Sequence, residues 1–390
     1  MVAYAALREL IPVFPVYALL FTDAGLSTGE VSSLFIIWSA THVLLEVPSG
    51  AWADTVPRRR LLVLGAALYT GCFALWTTVP TYAAFAGGFV LWGLSGSLVS
   101  GTYEAYVYDH LHARAATVSY RRVIAAGETS ALVLNLVATA AAAPIVAVWG
   151  LVGAGWASVL VCASATALAV TLPPDARRPH VDVDEDQDPS AGGYLAMLRV
   201  GVAESLHPRV ARAVLLAALV PAFLAFDEYF GLLAVDVGVP VAAVPLLVAL
   251  TVAAQAVGAA LAPRLPMHRL GPVLVGAGLL VAAGAAAGRP LGFGAVAVGY
   301  GALQAAIVVA ETDLQHRIEG RARATVTSVS GLLSELGAIG LYAFVALGSA
   351  AASTATLIAI LSIVVAVGGL VAASAYPATW RKPTDSPGRS

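Results

Sequence analysis

Glu46-Val-Pro-Ser-Gly50-Ala-Trp-Ala-Asp54-Thr-Val-Pro-Arg58-Arg59-Arg60 decides how this chain is read. An apolar run beginning near residue 30 ends in Asp54, and a new apolar run begins at Leu61. The short turn between them carries a helix-end acid and three consecutive arginines, the pattern of one membrane helix leaving a bilayer and another entering it.

Composition extends that reading to the whole chain. Of 390 residues, 59% are hydrophobic and 11% charged, against roughly 25% charged in a soluble domain. Crossing a hydrocarbon core of about 30 Å takes roughly 20 residues. Twelve stretches fit, at 3–23, 30–53, 61–79, 82–106, 123–146, 149–171, 211–235, 239–261, 270–287, 290–313, 325–347 and 351–375. Nearly all the basic residues fall on the loops after even-numbered spans, on the 172–210 segment or on the tail. Both termini are therefore expected in the cytoplasm. Arginine far outnumbers lysine, which points to a GC-rich bacterial genome and hence to the inner membrane. The predicted organisation is a six-helix bundle over 1–171, a cytoplasmic linker with an interfacial helix over 172–210, a second bundle over 211–376 and a cytoplasmic tail over 377–390.

The linker's acids, Asp182, Asp184, Glu185, Asp186 and Asp188, resemble a calcium loop only at first sight. Gln187 stands where that loop needs glycine, and Gly193 where it needs glutamate. A solvated linker is expected and no metal site. Cys72 and Cys162 lie inside apolar runs, which excludes a disulfide framework. A net charge of −2 gives no basis for a nucleic-acid partner. No phosphate loop of the G-x-x-x-x-G-K-[ST] type occurs, and no nucleophile with its base is evident, so neither an ATP-driven pump nor an enzyme is expected. No cofactor is called for.

The halves repeat. A shift of 207 superposes Glu104 on Glu311, Arg114 on Arg321 and Glu128 on Glu335, and a shift of 213 brings Asp23-Ala-Gly25 onto Asp236-Val-Gly238. The opening loop has a decayed counterpart in which Gly258 precedes Arg264 and Arg269, with Ala262 in place of Asp54. Gly50, Asp54, Arg58 and Arg59 match the loop motif G-x-x-x-D-[RK]-x-G-[RK]-[RK] of the major facilitator superfamily, with Thr55 and Pro57 departing from it. Ser100-Gly-Thr-Tyr-Glu104-Ala, followed by Tyr108-Asp109, and Glu46-Val-Pro-Ser-Gly50 resemble segments of one bacterial branch. The resemblance implies an all-α membrane protein of 12 transmembrane helices in two six-helix bundles, related by a pseudo-two-fold axis along the membrane normal. It further implies secondary transport by alternating access, and a charged gating latch of Gly50, Asp54, Arg58, Arg59 and Asp109.

Intramembrane charge is expensive, at least ~2.5 kcal/mol on insertion scales, and marks function by default. Spans 3, 6, 9 and 12 have none, as the superfamily's outer helices would require. His42 and Glu46 lie one turn apart on span 2 and form a candidate proton switch, the other reading being a histidine held by a backbone carbonyl or Ser39. Glu104, Glu128 (with Asn135), Asp227, Glu228, Glu311 and Glu335 are candidates for proton coupling or substrate binding, with Tyr300 and Gln304 sharing the face of Glu311. Only Arg8 is basic within the membrane, and neighbouring Glu9 is placed to neutralise it. Cationic or neutral amphipathic cargo therefore fits better than phosphate or di-carboxylate. The expectation is a monomeric, proton-coupled exporter of small hydrophobic or cationic compounds, the alternative being an importer of a small metabolite.

Overall fold

The structure, a computed structural model, describes residues 1–175, 203, 205–207, 210–318 and 323–375, without the side chains of 46–51, 53–55, 323–324 and 375. Most of the proposed interfacial helix, Arg321 and the tail lie outside the described residues. Every regular element among those described is helical. Among the described residues, ten helices are long and apolar enough to cross a membrane. The expected spans 5 and 6 run together as one 52-residue helix that reverses only at Gly150, whose φ of +68° a side chain would resist. The first expected span is interrupted, leaving an apolar piece too short to count.

The helices are α1 (Val2–Leu7), α2 (Tyr17–Asp23), α3 (Thr28–Thr55), α4 (Arg58–Thr78), α5 (Tyr82–Val99), α6 (Thr102–His112) and α7 (Tyr120–Thr171). After the linker come α8 (Ala211–Ala222), α9 (Phe230–Asp236), α10 (Val244–Leu261), α11 (Leu270–Ala286), α12 (Gly292–Arg317), α13 (Arg323–Gly348) and α14 (Thr354–Ala375). The two related turns found in the sequence have the same local form. α2 ends at Asp23 and α9 at Asp236, and Gly25 and Gly238, two residues on, adopt φ of +96° and +87°.

Packing divides the chain into two compact units. One contains 1–193, 227–249 and 338–354, the other 194–226, 250–337 and 355–390. The cut passes through helices rather than only through the linker. In the first unit the core is aromatic: Phe14 stacks on Trp92 at 5.3 Å, Phe21 meets Phe85 at 4.3 Å, and Trp76 packs on Phe89 at 4.8 Å. Such rings bring large apolar area and preferred edge or offset contacts. In the second unit small residues do this work. A Cβ on Gly258 would lie 1.9 Å from the Gly301 carbonyl oxygen, and one on Gly278 would lie 2.3 Å from that of Ser362. Without a hydrophobic driving force in lipid, such backbone approach is what lets helices gain dispersion energy.

Candidate functional site

Three of the membrane-crossing segments are interrupted within their length, and each carries an acid at the break. In the first, Pro12 and Pro15 remove two backbone donors within four residues, so α1 stops at Leu7 and α2 does not begin until Tyr17. The freed amide of Val13 donates instead to Ser158 Oγ on α7, 3.0 Å away. That substitution keeps an irregular backbone viable inside a bilayer. Glu9 sits on the break beside Arg8 and Glu128, with Asn135 and Tyr69 alongside.

The second break separates α5 from α6. Continuous helix was expected over 82–106, but the chain turns at Ser100 and Gly101, the latter with φ +69°, and helix then resumes as far as His112. Glu104 thereby falls in the first turn of a new helix, where unpaired amides and the helix dipole favour a carboxylate. Its Oε2 is buried and, among the described residues, has no hydrogen-bond partner. Tyr103 lies beside both Glu104 and Glu128 and donates to the Met1 carbonyl at 3.3 Å. The first unit thus brings Glu9, Glu104 and Glu128 into one neighbourhood.

The third break is a 3-10 stretch, 223–229, between α8 and α9. Asp227 is exposed. Glu228 is half-buried. Tyr229 is fully buried and donates to Ser32 Oγ at 2.9 Å, with ring contacts to Phe35 at 5.7 Å and Tyr342 at 6.3 Å. Gly29 sits close under Ser349 and the Ala346 carbonyl. On the side away from the arginine cluster, α3, the α9 segment and α13 are therefore sealed together.

In the second unit, Tyr300 is buried and donates to the Leu224 carbonyl, spanning from α12 to the stretch that precedes Asp227. Gln304 and Glu335 are half-buried and Glu311 is exposed. The sequence repeat aligns Glu311 with Glu104, yet α12 runs through Glu311 without a break. His42 packs against α5, where a Cβ on Gly96 would lie 3.0 Å from its Nε2, and Trp38 meets its ring edge-on at 6.2 Å. The side chains of Glu46, Gly50 and Asp54 lie outside the described residues, so the latch is visible only in part. Arg58 pairs with Asp109 and also donates to the Ala105 carbonyl at 3.1 Å. Arg59 donates to the Val170 carbonyl at the end of α7. Among the described residues, the ion pairs are Arg58–Asp109 and Arg317–Asp313. None involves Glu9, Glu104, Glu128, Asp227, Glu228, Glu311 or Glu335.

The Major Facilitator Superfamily profile matches residues 1–340. The chain belongs to the major facilitator superfamily. No curated protein matches the sequence. Among solved structures, the nucleoside transporter NupG superposes with a TM-score of 0.74 at 14% identity, covering 96% of each chain. A bacterial homologue of the human lysosomal transporter Spinster, inward-facing and unoccupied, gives a TM-score of 0.71 at 16% identity, covering 96% of this chain and 94% of its own. The POT family transporter PepTSo gives 0.67 at 13% identity, covering 96% and 98%. At these identities the shared property is the fold.

For a transporter of this superfamily, interrupted helices are the places where backbone groups and charges can meet solute. Elsewhere in a bilayer the backbone must satisfy itself. Glu9 was legible in the sequence only as a neighbour of Arg8. The signal that singles it out is the paired prolines, three residues apart, immediately after it.

Proposed function

We propose that this transporter is a proton-coupled exporter of small hydrophobic or cationic compounds, working by alternating access in the bacterial inner membrane with both termini cytoplasmic. The observation that carries the reading is a set of intramembrane carboxylates, Glu104, Glu128, Asp227, Glu228, Glu311 and Glu335, that form no ion pair among the described residues, with Glu104 and Glu128 gathered around Tyr103 and Glu9 and its neighbour Arg8 close to Glu128. An ionised carboxylate held in the membrane without a countercharge costs at least ~2.5 kcal/mol. Such a group lowers that cost by taking up a proton or a cationic solute, and exchange of one for the other is antiport. Arg8 is too solitary to hold a multiply charged anion. His42, beside Gly96, serves as a relay within the same half.

The Arg58–Asp109 pair supports a latch at the cytoplasmic end that breaks and re-forms during the cycle. The sealed Ser32–Tyr229 side supports an outer gate closed in this conformation. Import of a small polar metabolite is favoured by one specific feature, the polar group of Glu9, Asn135, Arg8 and Tyr69. That group offers donors and acceptors to a polar solute, and the solved structures of similar fold include transporters of nucleosides and peptides.

Glu104→Gln and Glu311→Gln test the coupling. Each is expected to abolish pH-driven transport while the protein still inserts and folds. If both transport with unaltered pH dependence, these carboxylates do not couple. Accumulation of nucleosides or short peptides, with no movement of lipophilic cations, would decide for import.

A further inference from the structure

At the arginine-bearing end of the first unit, a groove of about 590 Å³ runs between α4 and the end of α7. Its polar mouth is formed by Arg59, Arg60 and Asp175, and its walls by Val63, Leu64, Ala67 and Val170. The guanidinium of Arg59 is held in place by the Val170 carbonyl, and the Arg59 amide donates to Asp175 Oδ1 at 3.1 Å. Its Nε is buried with no partner. Arg60 is exposed and, among the described residues, pairs with no acid. The mouth therefore carries two positive charges and one negative. Leu64, one turn further along α4, is 49% exposed, and Val170 across the groove is 51% exposed.

From this arrangement we propose that the groove binds one anionic phospholipid, its phosphodiester at Arg60 and Arg59 and an acyl chain along Leu64 and Val170. The charge matches: a net charge of one at the mouth neutralises one phosphodiester. The geometry also fits an interfacial lipid, because the cations stand at the end of the helix where headgroups lie, and the apolar walls continue in the direction a chain would take. A free phosphate would leave those walls unused. This inference does not depend on the proposed direction or coupling of transport.

The test is lipid retention by the purified full-length protein in detergent, read by native mass spectrometry. The probes are phosphatidylglycerol, phosphatidylcholine of the same chains, and water-soluble glycerophosphoglycerol. Each arginine near a charged headgroup contributes about a fivefold preference. Phosphatidylglycerol is therefore expected at one per protein with at least about fivefold preference over phosphatidylcholine. Arg60→Gln should reduce that preference about fivefold. Leu64→Asp, which leaves both arginines and blocks the chain path, should also abolish retention. Arg289→Gln, on a loop of the second unit and not among the residues lining the groove, should change nothing. Equal retention of the two lipids overturns the proposal, as does full retention by Arg60→Gln and Leu64→Asp, or equal binding of the soluble headgroup. Absence of bound lipid until the linker acids 182–188 are neutralised would instead make the linker the occupant, and the proposal would fall.

Discussion

Removing the phenol of Tyr229 tests the seal on the side away from the arginines. Tyr229→Phe keeps the ring against Phe35 and Tyr342 and deletes one buried hydrogen bond, to Ser32 Oγ at 2.9 Å. Ser32 is not stranded, since its hydroxyl already donates to the Thr28 carbonyl at 2.8 Å. The loss is thus the net worth of one hydrogen bond, about 1 kcal/mol, with no added desolvation penalty. Spent wholly on the closed conformation, that raises the open population about fivefold. Tyr229→Ala removes the ring as well, about 3–5 kcal/mol, and should leave the side largely open.

A cysteine at Ser39, one turn below Phe35 and 3% exposed, reports the opening. The chain's own cysteines, Cys72 at 0% and Cys162 at 2%, stay silent. Alkylation of the Ser39→Cys protein by a membrane-impermeant maleimide from outside the cell should speed up about fivefold with Tyr229→Phe, by the same hydrogen-bond arithmetic. With Tyr229→Ala it should speed up a hundredfold or more. Unchanged rates in both would refute the reasoning, because the ring would then not be what closes that side.

Three further outcomes follow from the same structure. Arg58→Ala and Asp109→Asn should each lower the thermal midpoint, and the double variant should lose less than their sum, with a coupling of about 1 kcal/mol; additive losses would show that the pair is not an energetic unit. His110 is buried with Nδ1 2.9 Å from the Tyr106 carbonyl and Nε2 3.0 Å from the Pro174 carbonyl. His110→Ala should therefore release the start of the linker and speed limited proteolysis after Asp175, with His110→Gln intermediate. Gly258→Ala and Gly301→Ala would place a methyl group 1.9 Å and 2.5 Å from facing carbonyl oxygens and should destabilise by about 1–3 kcal/mol or more. Gly276→Ala, with nothing within 4 Å, is the neutral comparison in the same melting experiment.

Much of the fold could be read from the chain because a bilayer leaves the backbone few choices. Where about 20 apolar residues end in Asp54 and three arginines, the chain is leaving the membrane. The two Asp-x-Gly turns were readable for a similar reason, as only glycine tolerates the positive φ that ends α2 and α9. The breaks were harder. Pro144 lies inside a helix that continues around it, whereas Pro221 stands one residue before α8 ends at the third break, so a lone proline does not by itself distinguish an interruption from a continuing helix. Pro12 and Pro15 do interrupt, because they remove neighbouring hydrogen bonds together and Ser158 stands ready for one freed amide. Ser100-Gly101-Thr102 reads equally well as a close helix contact. Its role as a break depends on what packs around it, and so does the placing of Glu104 at a helix start. Glu9 stayed hidden because Arg8 beside it offered a simpler explanation, whereas the fold gives it Asn135 and Glu128 as well.

The most direct measurement of the central claim uses purified protein in liposomes with an imposed pH gradient and an internal pH dye, challenged with lipophilic cations, nucleosides and short peptides. Proton-coupled carriage predicts that at least one cargo, added without any gradient of its own, moves protons across the membrane in the intact protein. In Glu104→Gln the movement should be lost. If no cargo perturbs internal pH, while one of them still crosses at the same rate with or without the gradient, the carboxylates are not coupling groups and the account is wrong.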